Sequence, residues 1–142
     1  MTLSATDRLD ILDLIGRADA FATRRDADSY AGLFTADAVL DGSQGVHPAA
    51  SSRSSVGQIW AAEGPAALHL TLNPVVDPGG DPDEAVVSSV LLIIDPAPPS
   101  TIRTAAVITQ TVRRTAGTWR ISRRTVGPAA EHADGQANSV GS

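Results

Sequence analysis

The chain has 142 residues, 42% of them hydrophobic, enough for one domain to bury a sizeable core without covalent staples. It contains no cysteine, which excludes disulfides, thiolate nucleophiles and every zinc or iron-sulfur site built on sulfur ligands. All eleven basic residues are arginine, which excludes lysine Schiff-base and P-loop chemistry, and a formal charge of -5 argues against a nucleic-acid partner.

From Ser4 to Asp26 the sequence has a helical period, with Ser4 or Thr6 as N-cap and Asp7 and Asp10 at the positive end of the dipole. Ile11, Ile15, Ala18 and Ala22 share one face, flanked by Leu12, Leu14 and Phe21. Asp10, Asp13, Arg17 and Arg24 lie opposite, whereas Asp19 projects within about 80° of the apolar stripe and is the inward acid of the helix middle. A short second helix in DADSYAGLF turns Tyr30, Leu33 and Phe34 inward, and VLDG ends a brief strand at a turn. Gly42 to Ser55 reads as a loop, followed by a third helix around Ser54 to Ala62 that Gly64 and Pro65 terminate.

Four segments rich in β-branched residues follow: Leu68 to Val76, Glu84 to Asp95, Ile102 to Arg114 and Thr118 to Val126. Their connections, PGGDPD, PAPPS and TAG, are turn chemistries, and the order favours an antiparallel meander. Helices followed by a curved sheet make the fold class α+β, with a domain over residues 1–127. The tail over 128–142 has almost no large apolar residue and is expected to be flexible. No segment approaches the roughly 20 apolar residues of a membrane span, and MTLSATDRLD lacks signal-peptide order, so a cytoplasmic location is expected.

Three segments together resemble the SnoaL-like branch of the nuclear transport factor 2-like superfamily. LIGRADAFATRRDADSYAGLFTADAVLDG looks like the opening helical hairpin, LHLTLN like the histidine-bearing inner strand, and GTWRISRRTV like the last strand. The resemblance covers residues 5 to 127 in order and spacing. It implies a cone-shaped barrel, in which a strongly curved, mixed but mostly antiparallel sheet wraps a long N-terminal helix with two further helices. It also implies an apolar pocket at the wide end and a homodimer formed through the sheet. The superfamily includes scytalone dehydratase, ketosteroid isomerase, limonene epoxide hydrolase and polyketide cyclases beside inactive binding proteins, so fold does not fix function.

His69 is the leading candidate for chemistry: in LHLTLN the side chains alternate, placing His69, Thr71 and Asn73 on one face. Imidazole is suited to acid/base work near neutral pH, and the resemblance gives a histidine here that role. Asp19 is the second candidate, an inward carboxylate that needs a partner and that would orient His69 if both reach one pocket. Tyr30, Asn73, Trp60, Phe21 and Thr23 are expected to border the ligand, with Tyr30 or Asn73 polarising a carbonyl or hydroxyl and Trp60 at the pocket mouth. Active relatives carry a tyrosine and an aspartate on the first helix where this chain has Ala18 or Ala22 and Thr23. The facing of Arg103, Gln110, Arg120 and Arg124 stays open at this level.

His47, His69 and His132 have no ligand spacing, so no metal is expected, and no cofactor. The expected activity is cofactor-free acid/base chemistry, whether dehydration, isomerisation or cyclisation, on a hydrophobic oxygenated small molecule such as a polyketide. The alternative is a non-catalytic ligand-binding or dimeric scaffold protein of the same fold.

Overall fold

A computed structural model describes residues 2–42, 45–48, 52–64 and 66–128. The first helix, α1 (Ala5–Arg24), starts at a reciprocal cap: Ser4 Oγ accepts from the Asp7 backbone N–H, and the Asp7 carboxylate accepts from the Ser4 N–H. Asp7 also accepts from Arg114 at 2.7 Å and from Trp119 Nε1 at 3.2 Å, fixing the helix start to the end of the sheet. The hydrogen bonds from Ser4 and Trp119, helped by the Arg114 charge, hold its carboxyl below the usual range against the opposing effect of burial. Ile11, Leu14, Ile15, Ala18 and Ala22 are the buried face, as the helical period requires.

After α2 (Ala27–Ala31), capped by Asp26, the chain enters a six-stranded sheet. Its strands are β1 (Phe34–Gly42), β2 (Gly45–Pro48), β3 (Leu68–Pro78), β4 (Glu84–Asp95), β5 (Thr101–Thr115) and β6 (Thr118–Pro128). The helix α3 (Ser52–Glu63) lies between β2 and β3. The spatial order is β2-β1-β6-β5-β4-β3: the predicted meander β3 to β6 is antiparallel, and β1 joins β6 in parallel, which makes the sheet mixed. The loop expected over Gly42–Ser55 contains β2, a four-residue strand paired with β1. A strand that short carries no alternation to detect and is held by backbone pairing. Residues 129–142, within the expected tail, lie outside the described residues.

The barrel implied by the resemblance is not closed, because β2 and β3 are the two ends of the sheet. The free edge of β3 is occupied by α1 instead. Arg8 donates to the Val76 carbonyl at 2.7 Å, Thr23 Oγ1 accepts from the His69 N–H at 3.0 Å, and Asp19 Oδ2 accepts from the Thr71 N–H at 2.7 Å. Helix side chains thus satisfy edge groups that another strand would pair. The inward side of β4 and β5 alternates as a strand should, burying Ala85, Val87, Ser89, Leu91 and Ile93 on one and Ala106, Ile108, Gln110 and Val112 on the other. Ile11 and Ile121 in the main hydrophobic cluster, and Ile108 in a second one with Ala67, Leu91 and Ile93, are fully enclosed.

Candidate functional site

A cavity of about 280 Å³ lies between α2, α3 and the inward face of the sheet. Its apolar wall includes Leu40, Val56, Ile59, Trp60, Leu91 and Ile93, and its polar side chains include His69, Glu63, Tyr30, Arg124, Arg103 and Asp41. A small number of polar groups in an apolar wall is the arrangement that orients a small ligand.

His69 is 8% exposed, and its Nε2 lies 2.7 Å from Glu63 Oε2. A carboxylate only accepts, so the ring nitrogen facing Glu63 is the one assigned a proton. Nδ1 is buried with no hydrogen-bond partner among the described residues. Glu63 ends α3, and Gly64, at φ 91°, turns the chain toward β3, whose His69 the carboxylate reaches. Arg25 completes the cluster, donating to Glu63 at 3.3 Å and to the Gly64 carbonyl, with its guanidinium 5.5 Å over the Trp60 ring. Arg25 itself closes α1 in the left-handed conformation at φ 59°. Burial pushes the Glu63 carboxyl up, but the hydrogen bond from His69 and the charges of His69 and Arg25 outweigh it, leaving the group below its usual range.

Tyr30 and Arg124 form the second polar pair, with the guanidinium donating to the phenol oxygen at 3.1 Å. Burial pushes the Tyr30 hydroxyl up and the Arg124 charge only partly offsets this, so the phenol keeps its proton at neutral pH. The hydroxyl hydrogen has no acceptor among the described residues and is available to a ligand oxygen. Trp60 packs edge-on against Tyr30 at 5.2 Å and is 6% exposed, which makes it a wall of the cavity and not the mouth residue expected from sequence.

The remaining predicted site residues lie elsewhere. No hydrogen bond joins Asp19 to His69: Asp19 binds the β3 backbone, and the carboxylate on the imidazole is Glu63. Thr23 Oγ1 accepts from the His69 backbone N–H and makes no hydrogen bond to the imidazole, and Phe21 packs against the core beside Arg24. Asn73 leaves the face it was expected to share with His69, because Leu72 pairs with Val90 and Val75 with Ser88, so two residues bulge opposite Ser89. Its backbone is left-handed at φ 52° and it is exposed. Glu63 and Arg25 were not singled out by sequence reasoning, which left the facing of Arg124 open, although a carboxylate just before a Gly-Pro break, six residues ahead of a strand histidine, is a usable signal.

Five of the eleven arginines fall within residues 113–124, and the fold disperses them. Arg113 pairs with Asp37, Arg114 with Asp7 and Asp83, Arg123 with Asp41, and only Arg124 turns into the cavity with Tyr30. Among the described residues no group of three or more His, Asp or Glu side chains is placed to hold a metal ion, and no helix is long and apolar enough to cross a membrane.

A profile of the SnoaL-like domain matches residues 4–125. The chain belongs to the SnoaL-like domain family. Solved structures agree on the fold of this SnoaL-like domain. A Nostoc punctiforme protein of unknown function with a cystatin-like fold is 24% identical, with TM-score 0.80 over 89% of this chain and 93% of that one. A proposed scytalone dehydratase from Novosphingobium aromaticivorans is 18% identical, with TM-score 0.71 over 85% of this chain and 83% of that one. The hexachlorocyclohexane dehydrochlorinase LinA-type3 of Novosphingobium barchaimii is 18% identical, with TM-score 0.73 and 85% of both chains covered. No curated protein matches the sequence.

Proposed function

We propose that this SnoaL-like domain catalyses cofactor-free proton transfer (dehydration, isomerisation or cyclisation) on a hydrophobic, oxygenated small molecule such as a polyketide. The observation that carries this reading is the Glu63–His69 pair at 2.7 Å on the wall of an apolar cavity that also contains the Tyr30 hydroxyl. Tyr30, backed by Arg124, donates to a ligand carbonyl or hydroxyl and stabilises the charge that develops on that oxygen. His69, oriented by Glu63, moves the proton between ligand carbon and oxygen. The dehydratase and dehydrochlorinase among the similar structures support elimination as the reaction class.

The test is turnover of a panel of aromatic β-hydroxy ketones, followed by the absorbance change of the conjugated product. The wild type is expected to turn over at least one of them, and His69→Gln to lose about a hundredfold or more in kcat, the usual contribution of a positioned acid/base. Wild-type binding with no turnover of any member would instead support the ligand-binding alternative. A homodimer belongs to the same proposal: Leu68, Leu72 and Val90 leave an apolar outer face on β3 and β4 exposed, and equilibrium sedimentation tests it.

A further inference from the structure

Directly beneath the cavity wall, three neighbouring strands place a polar side chain at the next inward position. On β3, His69 lines the cavity and Thr71 follows two residues on; on β4, Leu91 lines it and Ser89 follows. On β5, Gln110 lies directly across from the cavity residue Arg124. Thr71 faces Leu91, and Ser89 faces Ile108, so Thr71, Ser89 and Gln110 step diagonally across one sheet face. Asp19 adds a carboxylate from α1 above Thr71.

The hydrogen-bonding capacity of this layer is unspent. Asp19 Oδ1, Thr71 Oγ1, Ser89 Oγ and both amide atoms of Gln110 are buried with no partner among the described residues, and so is His69 Nδ1. Gln110 is 0% exposed and Ser89 7%. Buried polar groups in folded proteins are almost always paired, and leaving one unpaired is more damaging than replacing it by an apolar group of the same shape. Below the layer the interior is purely apolar, with Ala85, Val87 and Val112 fully enclosed. Thr71, Ser89 and Gln110 thus adjoin the cavity residues His69, Leu91 and Arg124 from behind and do not line the cavity surface themselves.

We infer that Thr71, Ser89, Gln110 and Asp19 form a polar subsite at the inner end of the cavity, which takes a hydroxyl-bearing edge of the ligand. The inference rests on the cavity being a ligand site, and it narrows the substrate class to molecules with two separated oxygens. One oxygen meets Tyr30 and His69, and a hydroxyl on the far edge meets the Gln110 amide and the Ser89 and Thr71 hydroxyls. Asp19 Oδ1 is a pure acceptor and selects a hydroxyl over a carbonyl there.

Calorimetric titration of the full chain with naphthalene, naphthol and dihydroxynaphthalene tests this. The dihydroxy compound is expected to bind about tenfold or more tightly than naphthalene, the yield of one or two well-made buried hydrogen bonds. Gln110→Leu and, separately, Ser89→Ala should erase that preference, leave naphthalene binding intact and not lower the melting temperature. Naphthalene binding with an unchanged dihydroxy preference in both variants overturns the subsite while leaving the cavity as a ligand site. Equal wild-type affinity for all three compounds overturns it in the same way. If none binds, the proposed ligand site falls and the subsite with it.

Discussion

Glu63→Gln preserves the size of the side chain and removes its charge. In the native structure that carboxylate, only 18% exposed as a side chain, accepts from His69 at 2.7 Å and from Arg25 at 3.3 Å. A hydrogen bond to a charged partner contributes about 1.5–3 kcal/mol, and an amide oxygen recovers part of it, so a loss of about 2 kcal/mol is expected at pH 7. For a domain of this length that lowers the melting temperature by about 6–8 °C. The pH dependence has a definite sign. The folded carboxyl titrates below its ordinary value of 4.5, so its stabilisation is fully present above that value and is lost as pH falls through the folded value. Differential scanning calorimetry of wild type and variant across pH 3 to 8 should therefore show a constant gap at neutral pH that narrows below about pH 4.5. In the same variant the imidazole loses its orienting acceptor, and kcat should fall about tenfold or more with little change in KM. A gap that is absent at pH 7, or that persists undiminished at pH 3, would refute the reasoning.

Arg124→Met removes the donor to Tyr30, and kcat/KM should fall about tenfold to a hundredfold, as for loss of one preorganised donor; unchanged kinetics would remove the pair from the site. Thr23→Val takes away the acceptor of the His69 N–H and should cost about 1 kcal/mol in urea denaturation, a stable variant contradicting the edge-covering role of α1. Ile11→Ala opens a hole at a fully buried position and should destabilise by about 3–4 kcal/mol, measured in the same way. Val90→Lys places a charge on the exposed outer face and should convert a dimer to monomer in sedimentation without lowering helix content by circular dichroism.

Much of the fold was legible in local chemistry. The Ser4 cap, the buried stripe of α1 and the boundaries of β4 follow from period and capping alone, because each depends on residues within a few positions of one another. Likewise, the alternation in LHLTLN correctly turned His69 and Thr71 to one side, and only the bulge at Asn73, which depends on pairing with β4, removed the third member. The same limit applies to α1: the helical wheel placed Asp19 on the inward side, but it could not show that a strand edge runs along that side and takes the carboxylate.

The sequence by itself therefore determined α1, the strands β3 to β6 and the family, since periodicity and capping are local properties, but not β2 or the start of β1 at Phe34. Only the tertiary structure decided which charges meet. Glu63 reaches His69 because Gly64 reverses the chain, Arg25 joins them because α1 ends in a left-handed turn against α3, and Arg124 meets Tyr30 across 94 residues. An open sheet in place of a closed barrel is of the same kind, because a strand's free edge can be satisfied by another strand or by helix side chains, and only packing selects between them.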